Sequence, residues 1–544
     1  MKQLLLVAFL CLAGLTAPAQ PAAWTFALPG EGVNALMDVA TDAAGNAYVT
    51  GRFTGSTRVG STLITSARPG VCLFIAKISP GGQVLRVTKL EGATDALAFA
   101  IAADAAGNTF VTGYFTGTLT YNGGQQTTGQ LTSLGGLNIL LVKCGANGTV
   151  RWVQQANGGS GGAATGSSYG YGVTLDQAGN SYICGLINGS DITFGGGSFG
   201  ARRRQGFLAS YSPRGQLRWA KVLAAYPSQA AVGASSPAGG VAVDEAGHCY
   251  LSGVVVQGWT VDGLTLTSQA GNQYLARFDA RTGQPQWAVA LPGEGDGRAL
   301  AVDRQGAVYL GGRFTGTATF GSRTLTSAGG YDGFVVRLGP TGTVQWATAL
   351  GGPDNDLVSD LAVAPNSRRP FVAGTLGYLS PGARAFVAEL NPGGRVQRTA
   401  AGGPGTSDGG GLALDGRANA YTTGFFTGEV HLGPHALAAP ATQPYLARYG
   451  KRMPGGGGAD VSNAPALFPN PAQSHFTLRL ESPVPAGRAT LHNQLGHAVA
   501  ERPLPGPGAA PEVVFDTSAL PDGLYTLRLE TPQRITTRLV MVQH

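Results

Sequence analysis

Short apolar stretches alternate with polar turns along most of this chain, and one arrangement of them recurs. It reads apolar-x-apolar-Asp-x-x-Gly-Asn-x-aromatic-apolar-x-Gly, and its Asp stands at positions 42, 104, 176, 244, 303 and 415. A weaker copy has Ala364 in place of the Asp and Phe371 in place of the aromatic residue. Repetition at a period of about 60 residues indicates one supersecondary unit that is stacked into a ring or an array.

The fifth copy shows the predicted elements of a unit most clearly. Strand-like runs occupy residues 299–303, 308–312, 333–338 and 344–350, and Gly or Pro turns separate them. Strands of this length joined by such turns predict an antiparallel meander. Four strands in about 60 residues are typical of a propeller blade.

The recurring Asp opens a turn whose fourth residue is Gly. We expect its side chain to accept backbone N–H hydrogen bonds, while the Gly supplies a positive φ. The alternative is a ring of carboxylates that holds cations. The recurring Trp, Tyr and Phe positions are better explained by packing between blades than by a ligand-binding set.

Seven copies can be delimited, at residues 38–92, 99–158, 171–225, 239–293, 297–352, 358–403 and 408–452. Six of them include a fourth strand, whereas the seventh ends at Tyr449 without one. Residues 24–32 nearly duplicate residues 287–295, which contain the fourth strand of copy four. Because an open array would leave sheet edges exposed, we predict an all-β fold in which residues 20–452 form a seven-bladed β-propeller closed by its N-terminal strand.

The composition is consistent with many short strands, and the distribution of charge argues against one class of partner. The chain has 86 Gly among 544 residues and only 12% charged residues, a profile that fits strands joined by tight turns. The net charge of +7 is spread along the chain, and the one basic run is 202–204. Clustered Lys and Arg interleaved with aromatic residues are absent from the sequence, so we predict no nucleic-acid binding.

The N-terminus has the pattern of an export signal, with Lys2, an apolar core over 4–15 and small residues at 17 and 19. The apolar core is too short to span a bilayer, so we predict a signal peptide over 1–19 and no transmembrane segment after its cleavage. The four cysteines that remain are Cys72, Cys144, Cys184 and Cys249. We expect small buried hydrophobic residues, with a disulfide or metal set as the alternative.

The repeat resembles the SBBP-type beta-propeller repeat of secreted bacterial proteins. The matching motifs are Asp-x-x-Gly-Asn-x-Tyr, Thr-Gly-x-Phe at 50–53 and 112–115, and Asp-Gly-Phe-Val at 332–335. The resemblance implies the propeller fold over about four fifths of the chain, and it carries no catalytic residues. Copy six departs from the motif most, so we expect an irregular blade there.

A second domain follows a change of composition at residue 453. Residues 453–464 contain a Gly-rich run that is typical of a flexible linker. Several short alternating strands over 465–544 predict a small C-terminal β-sandwich.

Four motifs of this segment resemble the type A C-terminal sorting domain of the type IX secretion system of Bacteroidetes. They are Leu-Phe-Pro-Asn-Pro at 467–471, Leu-Gly at 495–496, Leu-Pro-Asp-Gly-Leu-Tyr at 520–525 and the basic-apolar ending at 538–542. The resemblance implies that residues 465–544 engage the secretion machinery and are removed, and that the protein is secreted or held at the cell surface.

Local matches to catalytic motifs lack the structural context that they need. Residues 166–170 fit Gly-x-Ser-x-Gly and residues 195–200 fit Gly-x-Gly-x-x-Gly, but no helix is predicted after either. His431 and His435 are four residues apart, but on non-helical backbone this spacing does not bring both imidazoles to one metal. We therefore assign no catalytic and no cofactor-binding residues.

The loops that enter the first strands carry acidic residues, and these could converge at one mouth of a closed propeller. Such a ring of oxygen ligands would suit Ca²⁺ or a basic ligand, although solvated loop acids are the simpler explanation. The candidate metal residues are Glu31, Asp95, Asp296, Asp356 and Asp408, and Glu294 and Asp354 lie nearby in sequence.

Three classes of function follow, and one of them is a passive spacer or a part of the extracellular matrix. The first is a non-catalytic secreted or cell-surface scaffold whose propeller face binds a glycan, a protein or a cation. The second is a polysaccharide lyase or hydrolase on a propeller scaffold, which would need paired carboxylates flanking a cleft. The sequence favours the first, because no His, Tyr and Arg cluster accompanies the acids in one blade.

Overall fold

The computed structural model describes residues 24–27, 35–450 and 466–544, apart from gaps at 125–126, 134, 158–166, 189–191, 195–196, 200–204, 226–237, 256–257, 269–271, 293–298, 366, 404, 433–434, 469–471, 480–486, 494–496, 505–511 and 532–533. The regular elements of these residues are all β-strands, so the predicted all-β class is confirmed. Over the same ranges there is no helix with the length and apolar character needed to cross a membrane.

The strands up to the end of copy two are β1 (Trp24–Ala27), β2 (Ala35–Thr41), β3 (Ala47–Thr54), β4 (Ser56–Val59), β5 (Thr62–Thr65), β6 (Val71–Ile78), β7 (Val84–Ala103), β8 (Thr109–Gly124), β9 (Thr127–Thr132), β10 (Asn138–Cys144) and β11 (Val150–Asn157). Those from the end of copy two through copy four are β12 (Tyr169–Leu175), β13 (Ser181–Ile187), β14 (Ile192–Phe194), β15 (Gly197–Phe199), β16 (Gln205–Tyr211), β17 (Leu217–Ala225), β18 (Gly240–Val243), β19 (His248–Val255), β20 (Gly258–Val261), β21 (Leu264–Thr267), β22 (Asn272–Asp279) and β23 (Pro285–Leu291).

Copies five to seven contain β24 (Leu300–Val302), β25 (Val308–Phe314), β26 (Thr317–Phe320), β27 (Arg323–Thr326), β28 (Asp332–Leu338), β29 (Val344–Leu350), β30 (Leu357–Val363), β31 (Pro370–Leu376), β32 (Arg384–Leu390), β33 (Val396–Ala401), β34 (Thr406–Ser407), β35 (Leu412–Leu414), β36 (Ala420–Leu432) and β37 (His435–Tyr449). The C-terminal segment contains β38 (Ala466–Phe468), β39 (His475–Arg479), β40 (Gly487–His492), β41 (Ala498–Leu504), β42 (Glu512–Asp516), β43 (Gly523–Thr531) and β44 (Arg534–Val542).

The strands of a copy pair in the order of the sequence, as the meander prediction requires. Copy four runs β18-β19-β22-β23, copy five runs β24-β25-β28-β29, and copy six runs β30-β31-β32-β33. The long strand β7 ends copy one and begins copy two. Short hairpins such as β4–β5 and β26–β27 fill the looser stretch between the second and third strands of a copy.

Copy six does not have the irregular strands that its weak motif predicts. Its turn keeps the backbone bonds from Ala364 N to Arg369 O at 3.0 Å and from Ser367 N to Ala364 O at 3.2 Å. Arg368 takes the left-handed conformation, with a φ of 50°. The turn therefore forms from backbone hydrogen bonds even though the Asp is absent.

The N-terminal strand pairs with the last strand of copy seven. Strand β1 runs antiparallel to β37, with Trp24 opposite Arg448 and Ala27 opposite Tyr445. Because β37 also pairs with β36, β1 takes the fourth-strand place that the sequence of copy seven lacks.

Tryptophans on the fourth strands join neighbouring copies, as expected from the aromatic positions. The indole N–H groups of Trp152, Trp219, Trp287 and Trp346 donate to the carbonyl oxygens of Pro213, Ala280, Pro340 and Pro392 at 3.1, 3.2, 3.2 and 3.0 Å. Each acceptor lies in the last turn of the following copy. Packing between copies thus rests on a hydrogen bond as well as on apolar contact.

The recurring Asp is a turn former, which confirms its predicted role. Asp42 Oδ1 accepts the N–H groups of Ala44 and Asn46 at 3.0 and 2.9 Å, and its Oδ2 accepts from the Asn46 amide and the Tyr48 hydroxyl at 2.7 and 2.9 Å. Gly45 has a φ of 81°. Asp104 and Asp415 make the same backbone and Asn bonds in their copies.

Cys72, Cys144, Cys184 and Cys249 are all buried, as predicted. Burial raises the pKa of Cys72 and of Cys144 to about 12. They behave as small hydrophobic core residues.

The C-terminal segment forms two antiparallel sheets, β38-β39-β42 and β41-β40-β43-β44. Their buried faces share one core, in which Phe476 and Phe515 of the first sheet meet Leu491 and Leu527 of the second. Two sheets that face each other across one core make a β-sandwich, the architecture predicted for this segment.

Candidate functional site

The first strands of the copies surround a pocket of about 320 Å³. Every copy contributes to its wall, through Met37, Phe99, Tyr171, Gly240, Leu300, Asp360 and Gly410 among others. Glycines 409–411 and 239–240 also line the pocket and contribute no side chains to its wall. A concave site where all repeats converge is the default location for a ligand.

Two carboxylates on the pocket wall connect neighbouring first strands. Asp38 Oδ1 accepts the N–H of Val39 at 2.8 Å, and its Oδ2 accepts the N–H of Ile101 in copy two at 2.9 Å. Asp360 makes the equivalent bonds to Leu361 at 2.7 Å and to Leu412 in copy seven at 2.6 Å. These acids hold adjacent copies together.

Sequence reasoning missed this pair, although a signal was present. Asp38 stands four residues before Asp42, and Asp360 stands four residues before Ala364. A carboxylate at the same place in two otherwise apolar strands could have been recognised as a repeated structural position.

Four aromatic side chains from copies two and three form a cluster beside the pocket, which we call the aromatic cluster. Phe99 lies 5.1 Å from Tyr171 and 5.8 Å from Tyr114 between ring centroids, and Tyr114 lies 5.3 Å from Tyr169. Tyr169 and Tyr171 are stacked, 5.7 Å apart and 12° from parallel. Phe99, Tyr169 and Tyr171 are half-buried, so part of each ring is exposed.

Sequence reasoning missed the aromatic cluster as well. Phe99 and Tyr171 each stand five residues before the recurring Asp of their copy, and this shared position was the available signal.

Asp95 lies at the aromatic cluster and is held by two partners. Arg52 Nη1 of copy one donates to Asp95 Oδ1 at 2.8 Å, and the Tyr114 hydroxyl donates to Asp95 Oδ2 at 3.0 Å. Burial, with the Asp95 charge beside it, raises the pKa of Tyr114 to about 12, so the phenol stays neutral and donates. The side chain of Asp95 is 44% exposed, which leaves its carboxylate accessible.

The other predicted metal residues have different hydrogen-bond partners or fall outside the described ranges. Asp408 lines the pocket and accepts the N–H of Phe425 at 2.6 Å, and burial raises its pKa. Asp356 is fully buried and accepts the N–H groups of Gly352 and Gly377 at 2.6 and 2.9 Å. Glu31 and Asp296, like Glu294, lie outside the described residues.

Asp356 has an acidic neighbour, Asp332, that the sequence did not single out as a metal candidate. Burial, together with the charges of Asp332 and Asp354, raises the pKa of Asp356 to about 7. Burial also raises the pKa of Asp332 to about 6. Within the described ranges no three His, Cys, Asp or Glu side chains are grouped as a metal would require, and the five-acid ring therefore stays a prediction.

Comparisons with known proteins add two domain assignments. Residues 151–193 match the model of the Beta-propeller repeat, SBBP, and residues 466–543 match the Secretion system C-terminal sorting domain. No curated protein matches the chain.

Several solved structures are similar to most of the chain at low identity. BamB from Moraxella catarrhalis is 12% identical, with 79% of this chain and 100% of that chain covered and a TM-score of 0.33. A protein of unknown function from Dyadobacter fermentans is 9% identical, with 79% and 98% covered and a TM-score of 0.38. A quinohemoprotein alcohol dehydrogenase from Comamonas testosteroni is 11% identical, with 79% of each chain covered and a TM-score of 0.30.

The C-terminal match indicates where the protein is exported. A secretion system C-terminal sorting domain indicates export through the type IX system to the cell surface or the extracellular space. Together with the repeat, it confirms both resemblances drawn from the motifs. The chain carries an SBBP beta-propeller repeat and a C-terminal sorting domain of the type IX secretion system.

Proposed function

We propose that this protein is a secreted or cell-surface binding protein, whose propeller binds a glycan at the aromatic cluster beside the central pocket. The observation that carries the proposal is the cluster itself, in which Phe99, Tyr169 and Tyr171 leave ring surface exposed next to the pocket. A soluble β-protein normally buries its large aromatic rings in the core, so partly exposed rings grouped at a concave site are a binding feature.

The chemistry of the cluster suits a sugar better than a peptide or a cation. The stacked pair Tyr169 and Tyr171 offers a flat apolar surface, which fits the C–H face of a pyranose ring. Asp95, with Arg52 beside it, supplies a charged acceptor and a guanidinium at the border of that surface. Apolar rings with a few fixed polar groups are the usual composition of a small-ligand site.

We infer that the seven copies form one closed ring, which would place the aromatic cluster at the mouth of a central channel. Hydrogen bonds between copies one and seven support this inference. Thr41 Oγ1 donates to Leu414 O at 2.8 Å, and the Tyr421 hydroxyl donates to Gly45 O at 2.9 Å. The pairing of β1 with β37 joins the two ends of the repeat region in the same way.

Glycan-array binding by the purified protein, followed by titration with the best oligosaccharide, tests the proposal. Tyr171→Ala and Phe99→Ala should each weaken binding by about tenfold or more, because a buried aromatic contact contributes at least 1.4 kcal/mol in such sites. Tyr121→Ala, a half-buried tyrosine on strand β8 outside the cluster, is the control and should bind normally. Equal affinity of all three variants would contradict the proposal.

The enzymatic alternative is an outcome of the same experiment. A lyase or hydrolase would release shorter oligosaccharides from the ligand during the binding measurement. Asp408 would then be the residue to change first, since it lines the pocket and burial raises its pKa, a property expected of a general acid.

Export with double processing follows from the two terminal segments. Loss of residues 1–19 and of the C-terminal domain would give a mature product of about residues 20–460, found outside the outer membrane. Mass spectrometry of the culture medium and the cell-surface fraction measures this product. Intact full-length chain retained in the cytoplasm would contradict the export proposal.

A further inference from the structure

One place in the second strand of the copies lies ten residues after the recurring Asp. It is Arg52 in copy one, Tyr114 in copy two, Arg313 in copy five and Phe425 in copy seven. Tyr114 belongs to the aromatic cluster, and Phe425 lines the pocket. Because side chains at the same place of a repeated strand point the same way, Arg313 stands at the pocket end of copy five.

The two arginines at this place differ in the residue that the following copy offers them. Arg52 Nη1 donates to Asp95 Oδ1 at 2.8 Å, and Asp95 lies nine residues before the recurring Asp of copy two. The same place in copy six, nine residues before Ala364, is Asn355. Copy five thus has the arginine, whereas copy six has an amide where the carboxylate would stand.

Arg313 has no polar partner in the part of the chain that the structure describes. Its Nε is buried without a hydrogen bond, like that of Arg52, but its Nη groups also lack any acceptor or ion pair among the described residues. The guanidinium lies over the ring of Tyr331, with Cζ 4.5 Å from the centroid. This cation–π contact holds the guanidinium in place without using its N–H groups, and buried N–H groups without an acceptor are costly.

Asn355 adds a second donor next to the same tyrosine. Asn355 Oδ1 accepts the N–H of Tyr331 at 3.0 Å, which fixes the orientation of the amide. The amide NH₂ donates to no described residue. The Asn355 backbone is also held, because its carbonyl oxygen accepts the N–H of Tyr378 at 2.5 Å. A guanidinium and an amide are therefore fixed around Tyr331 with their donors unused.

Three acids flank Tyr331 and Asn355 in sequence, namely Asp332, Asp354 and Asp356. Burial raises the pKa of Asp332 to about 6 and, together with the neighbouring acids, that of Asp356 to about 7. The charge of Arg384 acts on Asp354. Near neutral pH, part of the negative charge that would oppose an anion is therefore neutralised.

We propose that Arg313 and Asn355 bind the carboxylate of an acidic sugar, which makes the ligand of the propeller a uronate-containing glycan. The planar guanidinium matches a carboxylate with two parallel N–H hydrogen bonds. The inference rests on the proposed function, since it names the class of glycan. Arg313 lies in copy five and the aromatic cluster in copies two and three, so in a closed ring a glycan of several residues would reach both across the mouth.

Calorimetric titration of the full chain with paired hexasaccharides tests the proposal. The probes are hexasaccharides of galacturonate, of mannuronate and of chondroitin, each compared with its methyl ester, which keeps the sugar and removes the charge. At least one acidic form should bind about tenfold more tightly than its ester, because the ester loses a charged hydrogen bond.

Two variants locate the acid preference. Arg313→Gln should abolish the difference between acid and ester. Asn355→Asp should do the same, because it places a carboxylate beside Arg313 as Asp95 stands beside Arg52, while an Asp oxygen can still accept the N–H of Tyr331. Arg323→Gln, which changes an exposed arginine on β27 of the same copy, is the matched control and should keep the difference.

The outcomes separate this inference from the proposed function. Binding of neutral glycans that Tyr171→Ala weakens, with no preference for any acid over its ester, would overturn the uronate proposal and leave glycan binding intact. An acid preference that persists in both Arg313→Gln and Asn355→Asp would overturn it as well. Sulfated chondroitin offers a different oxyanion, so a preference that follows the sulfate and ignores the carboxyl ester would contradict the assignment of a carboxylate.

Discussion

Replacement of Gly283 by Ala probes the packing that joins copy three to copy four. Gly283 lies in the last turn of copy four with a φ of 74°, and its missing side chain faces Trp219 of copy three. A Cβ there would stand 2.7 Å from both Cδ2 and Cε3 of the indole. Trp219 is 9% exposed and its N–H is bound to Ala280 O, so the ring has little freedom to move away.

Gly247 in the same copy provides the matched control. Its φ is 84°, but a Cβ would meet nothing within 4 Å. Gly247→Ala should lower the free energy of unfolding by about 1 to 2 kcal/mol, the cost of the left-handed conformation. Gly283→Ala adds a steric clash to the same backbone cost, and overpacking of this kind costs about 1 to 3 kcal/mol more.

Urea unfolding of the two variants and the native protein measures the difference. In Gly283→Ala the midpoint should fall further than in Gly247→Ala. Trp219→Leu in the Gly283→Ala background should recover part of the loss, because the smaller side chain makes room for the methyl group. Equal midpoints for the two glycine variants would refute the packing of Trp219 against the next copy.

Three further predictions concern ring closure, the cysteines and the acidic residues that the sequence predicts at one mouth of the propeller. Deleting residues 24–27 should expose the edge of β37 that faces away from β36 and cause aggregation or a lower Tm, whereas deleting 455–460 in the linker should not; equal melting would contradict closure by β1. Because burial raises the pKa of Cys144 to about 12, the native protein should not react with a thiol reagent at about pH 8, and the unfolded protein should; rapid native reaction would contradict this. Changing Glu31, Asp95, Asp296, Asp356 and Asp408 to their amides should reduce Ca²⁺-dependent stabilisation if these acids bind Ca²⁺, and an unchanged Tm shift would remove that prediction.

The strands, their turns and the C-terminal domain could be predicted because their signals are local. Alternating apolar residues define each strand, and Asp42 forms its turn with residues no more than six positions away. The place of residues 24–27 was also predictable, because the sequence repeats a fourth strand that copy seven lacks. In this one case the repetition allowed a non-local contact, the pairing of residues 24–27 with copy seven, to be predicted from the sequence.

The aromatic cluster and its charged neighbours could be recognised only in the tertiary structure, because their residues come from different copies. Arg52, Asp95 and Tyr114 meet across two copies, and Tyr169 joins them from a third. The acids that the sequence grouped by their loops are bound to different partners, since Asp95 pairs with Arg52 while Asp356 is buried beside Asp332. Local sequence thus determined which strands and turns form, whereas burial and the packing of one copy on the next decided which carboxylates are exposed, which are paired and which are buried.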